Sequence, residues 1–183
     1  AGVELANNGV PKSPSGLAML VNPDMEANVL GFGANLFNPA KTISDQYITG
    51  KMGMAVGFRW SMDQNVARHV VGLCGGTPIV TVANQSGDSI LTSGWTAATQ
   101  VLNQGDIVSF HATNSVNPIS YRDNGRKRNF LVTANVTSDG GGLATITIAP
   151  NLSAVADEFQ TVVTSPAASA PVYVFGVTGN TAL

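Results

Sequence analysis

Charge is scarce in this sequence. Asp, Glu, Lys and Arg make up 11% of 183 residues, against roughly 25% in an ordinary soluble domain. A chain that stays unfolded needs high charge and few apolar residues. Here 44% of the residues are hydrophobic, so the composition excludes a disordered tail and predicts a buried core. Cysteine is represented by Cys74 alone, which excludes an internal disulfide and a cysteine-built zinc site. The two histidines, His69 and His111, have no Cys, Asp or His at a metal-ligand spacing, so neither a metal nor another cofactor is expected. No apolar run approaches the roughly 20 residues that cross a bilayer, and no membrane partner is expected. Basic excess is also missing. A net charge of −2 and a pI near 5.5 argue against a dedicated nucleic-acid binder, which is normally basic. The sequence starts at Ala1 without Met, and a partial or processed product is expected.

What fills the gap is Gly, 20 residues of it, with Ala, Thr, Ser and Asn. Such neutral residues suit turns, strands and close packing against other chains. Asn22-Pro23 opens a helix, with Asn as N-cap, Pro in the first turn, and Asp24 and Glu26 where the helix dipole favours acids. Before it, Leu17 to Val21 reads as a short buried strand. Asn38-Pro39 repeats the start signal, and Ile43, Tyr47 and Ile48 give residues 40–51 one apolar helix face. Met54 to Trp60 reads as one strand, and Gly75-Gly76 as a hinge. Beyond Thr77 the pattern becomes β: residues 79–82, 107–111, 130–136, 143–148 and 172–175 alternate or carry apolar runs. Ser138 to Gly142 is a glycine-rich hairpin loop. Strands at this spacing predict a Greek-key barrel or sandwich, with a boundary near Gly76.

Catalytic chemistry is hard to find. Cys74 beside Gly75 would serve as a nucleophile only if a histidine met it; a small half-buried thiol is the plainer reading. Gly140-Gly141-Gly142 lacks the Lys-Ser/Thr of a phosphate loop. Asp157 and Glu158 are neighbours and need not face one substrate. The chain is read as no enzyme, with no catalytic residues assigned. The pronounced polar feature is Tyr121-Arg-Asp-Asn-Gly-Arg-Lys-Arg128. Arg122, Arg126, Lys127 and Arg128 are four of the nine basic residues, opposed locally by Asp123, which leaves five basic and ten acidic residues elsewhere. Asn124-Gly125 predicts a turn whose tip extends these charges into solvent. Three uses stay open: a solvated loop, contact with an acidic patch on a neighbouring chain through Arg forks, and weak, salt-sensitive contact with nucleic acid.

Several segments then form a collinear series. Ile43-Ser-Asp-Gln-Tyr47, Gly50-Lys-Met-Gly53 and Gly57-Phe-Arg-Trp-Ser-Met-Asp-Gln-Asn-Val66 are followed by Gln104-Gly-Asp-Ile-Val-Ser-Phe110 and Asn114-Ser-Val-Asn-Pro118. Phe130-Leu-Val-Thr-Ala134, Ser138-Asp-Gly140 and Ala144-Thr-Ile-Thr-Ile-Ala-Pro150 complete it. In this order, across residues 10–178, the chain resembles the major capsid (coat) proteins of tailed phages, specifically the short-tailed Salmonella phage P-twenty-two type. The resemblance implies an α+β fold: part of a Hong Kong-type phage capsid tile over residues 1–76, an inserted Greek-key β-barrel over 77–176, and a return towards the tile over 177–183. It also implies an icosahedral shell built of coat–coat contacts, with a scaffolding protein and a portal as partners and packaged DNA held non-specifically. Assembly would take place in the bacterial cytoplasm and the product would reside in the virion. In that setting Arg122, Arg126, Lys127 and Arg128 are candidate inter-subunit contacts. The competing reading is a carbohydrate- or protein-binding β-module, for which Trp95 and Tyr121 are the nearby aromatic residues.

Overall fold

A computed structural model describes residues 2–11, 16–36, 53–55, 57–154 and 159–176. The chain forms two compact units, one of residues 1–6 and 10–68, the other of residues 7–9 and 69–183. It is mostly β, with few helices. No helix among the described residues is long and apolar enough to cross a membrane.

The first unit contains α1 (Gly2–Asn7) as far as Ala6, with β1 (Leu17–Val21), α2 (Pro23–Leu36), β2 (Met54–Ala55) and β3 (Phe58–Met62). Helix α2 begins where the sequence signals it, because the Met25 N–H donates to Asn22 Oδ1 at 2.8 Å, satisfying an amide that has no partner within the helix. Strand β1 runs parallel to β3, with Leu17 level with Phe58, and β2 lies antiparallel on the other side of β3. Two expectations change here. The strand expected over Met54 to Trp60 is broken by Gly57, whose φ of +79° is favourable only without a side chain, so the chain folds back as a hairpin. The run Leu17 to Val21 is not buried throughout: its exposure alternates, with Val21 inside and Leu20 62% exposed. Five apolar residues in a row conceal this two-residue period. The helix expected over residues 40–51 lies outside the described residues.

The strands of the second unit, in chain order, are β4 (Gly76–Val80), β5 (Gly87–Trp95), β6 (Gln100–Leu102), β7 (Ile107–Phe110), β8 (Asn114–Val116), β9 (Asp123–Lys127), β10 (Phe130–Val132), β11 (Val136–Thr137), β12 (Ala144–Leu152) and β13 (Val172–Val174). Six of them form one antiparallel sheet in the order β13-β7-β10-β12-β5-β4. The sheet curls until it nearly closes: the Val80 N–H donates to the Ala170 carbonyl at 2.9 Å and the Ser169 N–H to the Val80 carbonyl at 2.8 Å, beside an Ile79–Pro171 bridge. Alternate residues point inward, and the interior is filled by Ile90, Val108, Phe110, Phe130, Ile146 and Val174 with their neighbours, all fully buried or nearly so. The Phe110 and Phe130 rings tilt together with centroids 5.6 Å apart, within the favoured range for aromatic pairs.

The residues expected as one strand over 130–136 are divided. β10 belongs to the barrel, whereas β11 leaves it to pair with β6. Gly75-Gly76 is no hinge. The Gly75 carbonyl accepts from Thr96 N–H at 3.0 Å, Gly76 is level with Trp95, and a methyl group on either glycine would collide with β5 or Thr96. The contacts of the chain divide at Arg68 and His69, and Gly76 is the first residue of β4.

The barrel also starts and ends in one place. Ile79, in β4, pairs antiparallel with Pro171, the residue that precedes β13. Just beyond that strand, a methyl group on Gly176 would touch Val71 Cγ2 at 3.4 Å. The incoming and outgoing chain therefore lie side by side.

Candidate functional site

The basic segment is built on a two-stranded ribbon. β8 and β9 pair antiparallel, Asn114 level with Lys127 and Val116 level with Asp123, with a register shift between. The extra residues of β9 form a bulge, and Gly125 at φ +66° supplies the left-handed backbone such bulges use. Asn124-Gly125 is thus not the tip of a turn. The sequence signal for positive φ was real, but a bulge uses it as readily as a turn does.

The true tip is residues 117–122. Asn117 closes it: its side-chain Oδ1 accepts the N–H of Ile119 at 2.9 Å and of Ser120 at 3.1 Å. Its own N–H donates to the Arg122 carbonyl at 2.8 Å, and its carbonyl accepts from Tyr121 N–H at 2.9 Å. Four hydrogen bonds converge on one asparagine, so the loop holds a single shape. At its apex Ile119 is 85% exposed, the highest value among the large apolar residues described.

The base of the ribbon is pinned to the barrel. The Val163 N–H donates to the Asn114 carbonyl, and the Arg128 N–H to the Thr113 carbonyl, each at 2.9 Å. Lys127 Nζ sits 3.8 Å above the centre of the Tyr173 ring, a cation–π contact. Tyr173 in turn puts its hydroxyl 3.1 Å from His111 Nδ1. Arg128 Nη1 donates to Asn8 Oδ1 at 2.9 Å. The four basic residues are therefore divided in role: Lys127 and Arg128 hold the ribbon down, while Arg122 and Arg126 are exposed, with no ion pair among the described residues. Asp123 is occupied within the ribbon, accepting from Gly125 N–H at 2.7 Å and Asn114 Nδ2 at 3.1 Å.

A second polar cluster was not visible in the sequence. Asp106, read there as a turn residue, is 1% exposed. Its Oδ1 lies 2.6 Å from His69 Nε2; its Oδ2 accepts Asn103 N–H at 2.8 Å and Gly72 N–H at 3.1 Å. A buried carboxylate requires such partners, and this one ties the incoming chain to the turn before β7. His69 stands 37 positions away, beyond any local spacing rule. Cys74 lies nearby at 6% exposure, and burial, with a smaller contribution from the Asp106 charge, pushes its thiol up to about 11. A thiol held protonated is a poor nucleophile. Trp95 is buried, its indole N–H donating to Thr92 Oγ1 at 2.8 Å, so it offers no exposed platform. No group of three metal-ligating side chains occurs among the described residues.

Neither a known protein-family model nor a curated protein matches this chain.

Proposed function

We propose that the chain is a shell-building structural subunit of the tailed-phage coat type. In this reading part of a Hong Kong-type capsid tile carries the barrel as an inserted domain. Copies assemble with a scaffolding protein into a procapsid that encloses DNA without a dedicated DNA site. The observation that carries the reading is the meeting of the barrel's two ends, Ile79 paired with Pro171 and Val71 beside Gly176. An inserted domain must leave its host chain where it joined it, and close termini are what make insertion tolerable.

The barrel's outer wall supports the same reading. Along β5, β10 and β12 the outward-alternating positions Ser89, Leu91, Ser93, Leu131, Thr145, Thr147 and Ala149 are uncharged, and Asp88, near the start of β5, is the one exposed charge on these strands. Interface cores are depleted of charge in this way, because an unpaired charge is expensive to bury. The test is electron microscopy of the full chain expressed in bacteria, with and without a scaffolding protein. Closed shells or ordered tubes are the expected outcome. A monomer under both conditions overturns the reading and turns attention to a binding module.

A further inference from the structure

We propose that Asn124 is a self-modification site: the backbone nitrogen of Gly125 attacks its side-chain amide, ammonia leaves, and water opens the resulting cyclic imide to aspartate and isoaspartate. The inference is independent of the shell reading.

The described chain carries Asn-Gly at Asn8-Gly9 and at Asn124-Gly125, and in such a pair the glycine leaves the attacking nitrogen unshielded by a side chain. The structure separates the two pairs. Asn8 is held, because its Oδ1 accepts from Arg128 Nη1 at 2.9 Å. The Asn124 carboxamide is placed loosely, with Nδ2 3.5 Å from Ser115 Oγ, at the outer edge of hydrogen-bond distance. Swinging that side chain towards Gly125 therefore sacrifices little. Gly125 itself falls in the bulge, between the pairs Asn114–Lys127 and Val116–Asp123. It is exposed, and a methyl group on it would meet nothing within 4 Å beyond its chain neighbours, so water has access to the site.

Asp123 supplies the chemistry. Its Oδ1 accepts the Gly125 N–H at 2.7 Å, within the reach required of a general base. As the Gly125 nitrogen bonds to Asn124 Cγ, its proton passes to the Asp123 carboxylate. The Cγ–Nδ2 bond then breaks, and the departing nitrogen takes that proton and leaves as ammonia, so Asp123 is returned unchanged. Attack within one chain avoids the entropy of bringing two reactants together. Water adds to either carbonyl of the imide, which gives the two products.

Both products put a new negative charge between Asp123 and Arg126. Isoaspartate also inserts an extra carbon into the main chain of β9, so Asn114–Lys127 and Val116–Asp123 cannot both stay level. Lys127 then loses its seat over Tyr173. The ribbon loosens with age while the barrel strands, which do not contain the site, stay paired.

The experiment keeps the full chain folded in heavy-oxygen water at mildly alkaline pH for weeks. The chain is then digested and sequenced by mass spectrometry with electron-transfer fragmentation, which tells isoaspartate from aspartate. The expected result is heavy oxygen at residue 124, in both products, with residue 8 unlabelled. Asp123→Asn keeps an acceptor oxygen for the Gly125 N–H but removes the base. It should label about tenfold more slowly, less than the loss of a fully aligned base, at an unchanged melting temperature. The chain unfolded in urea labels at both pairs, which establishes that both are detected. A folded chain unlabelled at residue 124, or labelled equally at residues 8 and 124, overturns the proposal. So does labelling of Asp123→Asn at the parent rate.

Discussion

At the residue scale the structure turns on a few buried polar atoms. Asp106 accepts two backbone N–H groups and faces His69, so Asp106→Ala strands buried donors. That substitution should cost about 2–4 kcal/mol, since each unsatisfied buried group costs roughly 1–3, and a lowered urea midpoint would report it. Asp106→Asn, which keeps one acceptor oxygen, should recover part of the loss. Cys74 gives a pH signature. Its thiol is raised from an ordinary 9.0 to about 11, so in that interval the unfolded chain loses the proton and the folded chain keeps it. The resulting stability is complete below pH 9 and disappears as pH climbs towards 11. Cys74→Ala should therefore lose less stability over that range than the parent, and native Cys74 should resist iodoacetamide at pH 8 until urea unfolds the chain. A parent and variant with parallel pH profiles would contradict this. The plainer sequence reading of Cys74, a small half-buried thiol, agrees with its burial. The sequence did not reveal Asp106, because an Asp after Gly reads as a turn and its partner His69 is distant in sequence.

At the element scale the ribbon makes the sharpest claim. Lys127→Ala should lower barrel stability by about 1 kcal/mol through its lost contact with Tyr173, whereas Arg126→Ala should leave the melting curve unchanged. Equal effects would mean that the two basic residues do not divide as described. Gly125→Val should cost about 1–2 kcal/mol, the penalty of a branched residue at positive φ. Strands with clean alternation, β7, β10, β12 and β13, were legible in the sequence. Strand β5 was not, although it is one of the two longest strands in the barrel. Its inward positions include Thr92, a polar residue buried because Oγ1 donates to the Ala144 carbonyl at 2.8 Å, and Gly94 breaks the pattern further. Strand β9 was hidden for the opposite reason: Asp123 to Lys127 has no apolar residue at all. It is a strand only because β8 supplies hydrogen bonds and Tyr173 receives its lysine.

At the scale of the whole molecule the barrel holds almost all of the core. Among the described residues, every buried apolar side chain except Val21 and Phe58 belongs to the second unit. Residues 69–176 expressed alone should give a β-type circular dichroism spectrum and a single cooperative melt. A broad, non-cooperative transition would show that the barrel depends on the rest of the chain. Its β class was readable from composition and from the change in apolar period. Closure was not, because the bond from Val80 to Ala170 joins segments whose sequences carry no sign of each other. Nor was the division of the basic residues, which depends on which side of a ribbon each one occupies.

The adjacency of the barrel's two ends also has a mechanical consequence. Tension applied along the flanking chain pulls β4 away from the segment around Pro171, its antiparallel neighbour. Hydrogen bonds between such strands lie perpendicular to them, so the load falls on one bond at a time and the closing seam peels open. The Ile79–Pro171 bridge and the Val80–Ala170 bond give way in turn, at far lower force than a barrel pulled from opposite ends. Under such a load the seam opens while the inner strands β7, β10 and β12 stay paired.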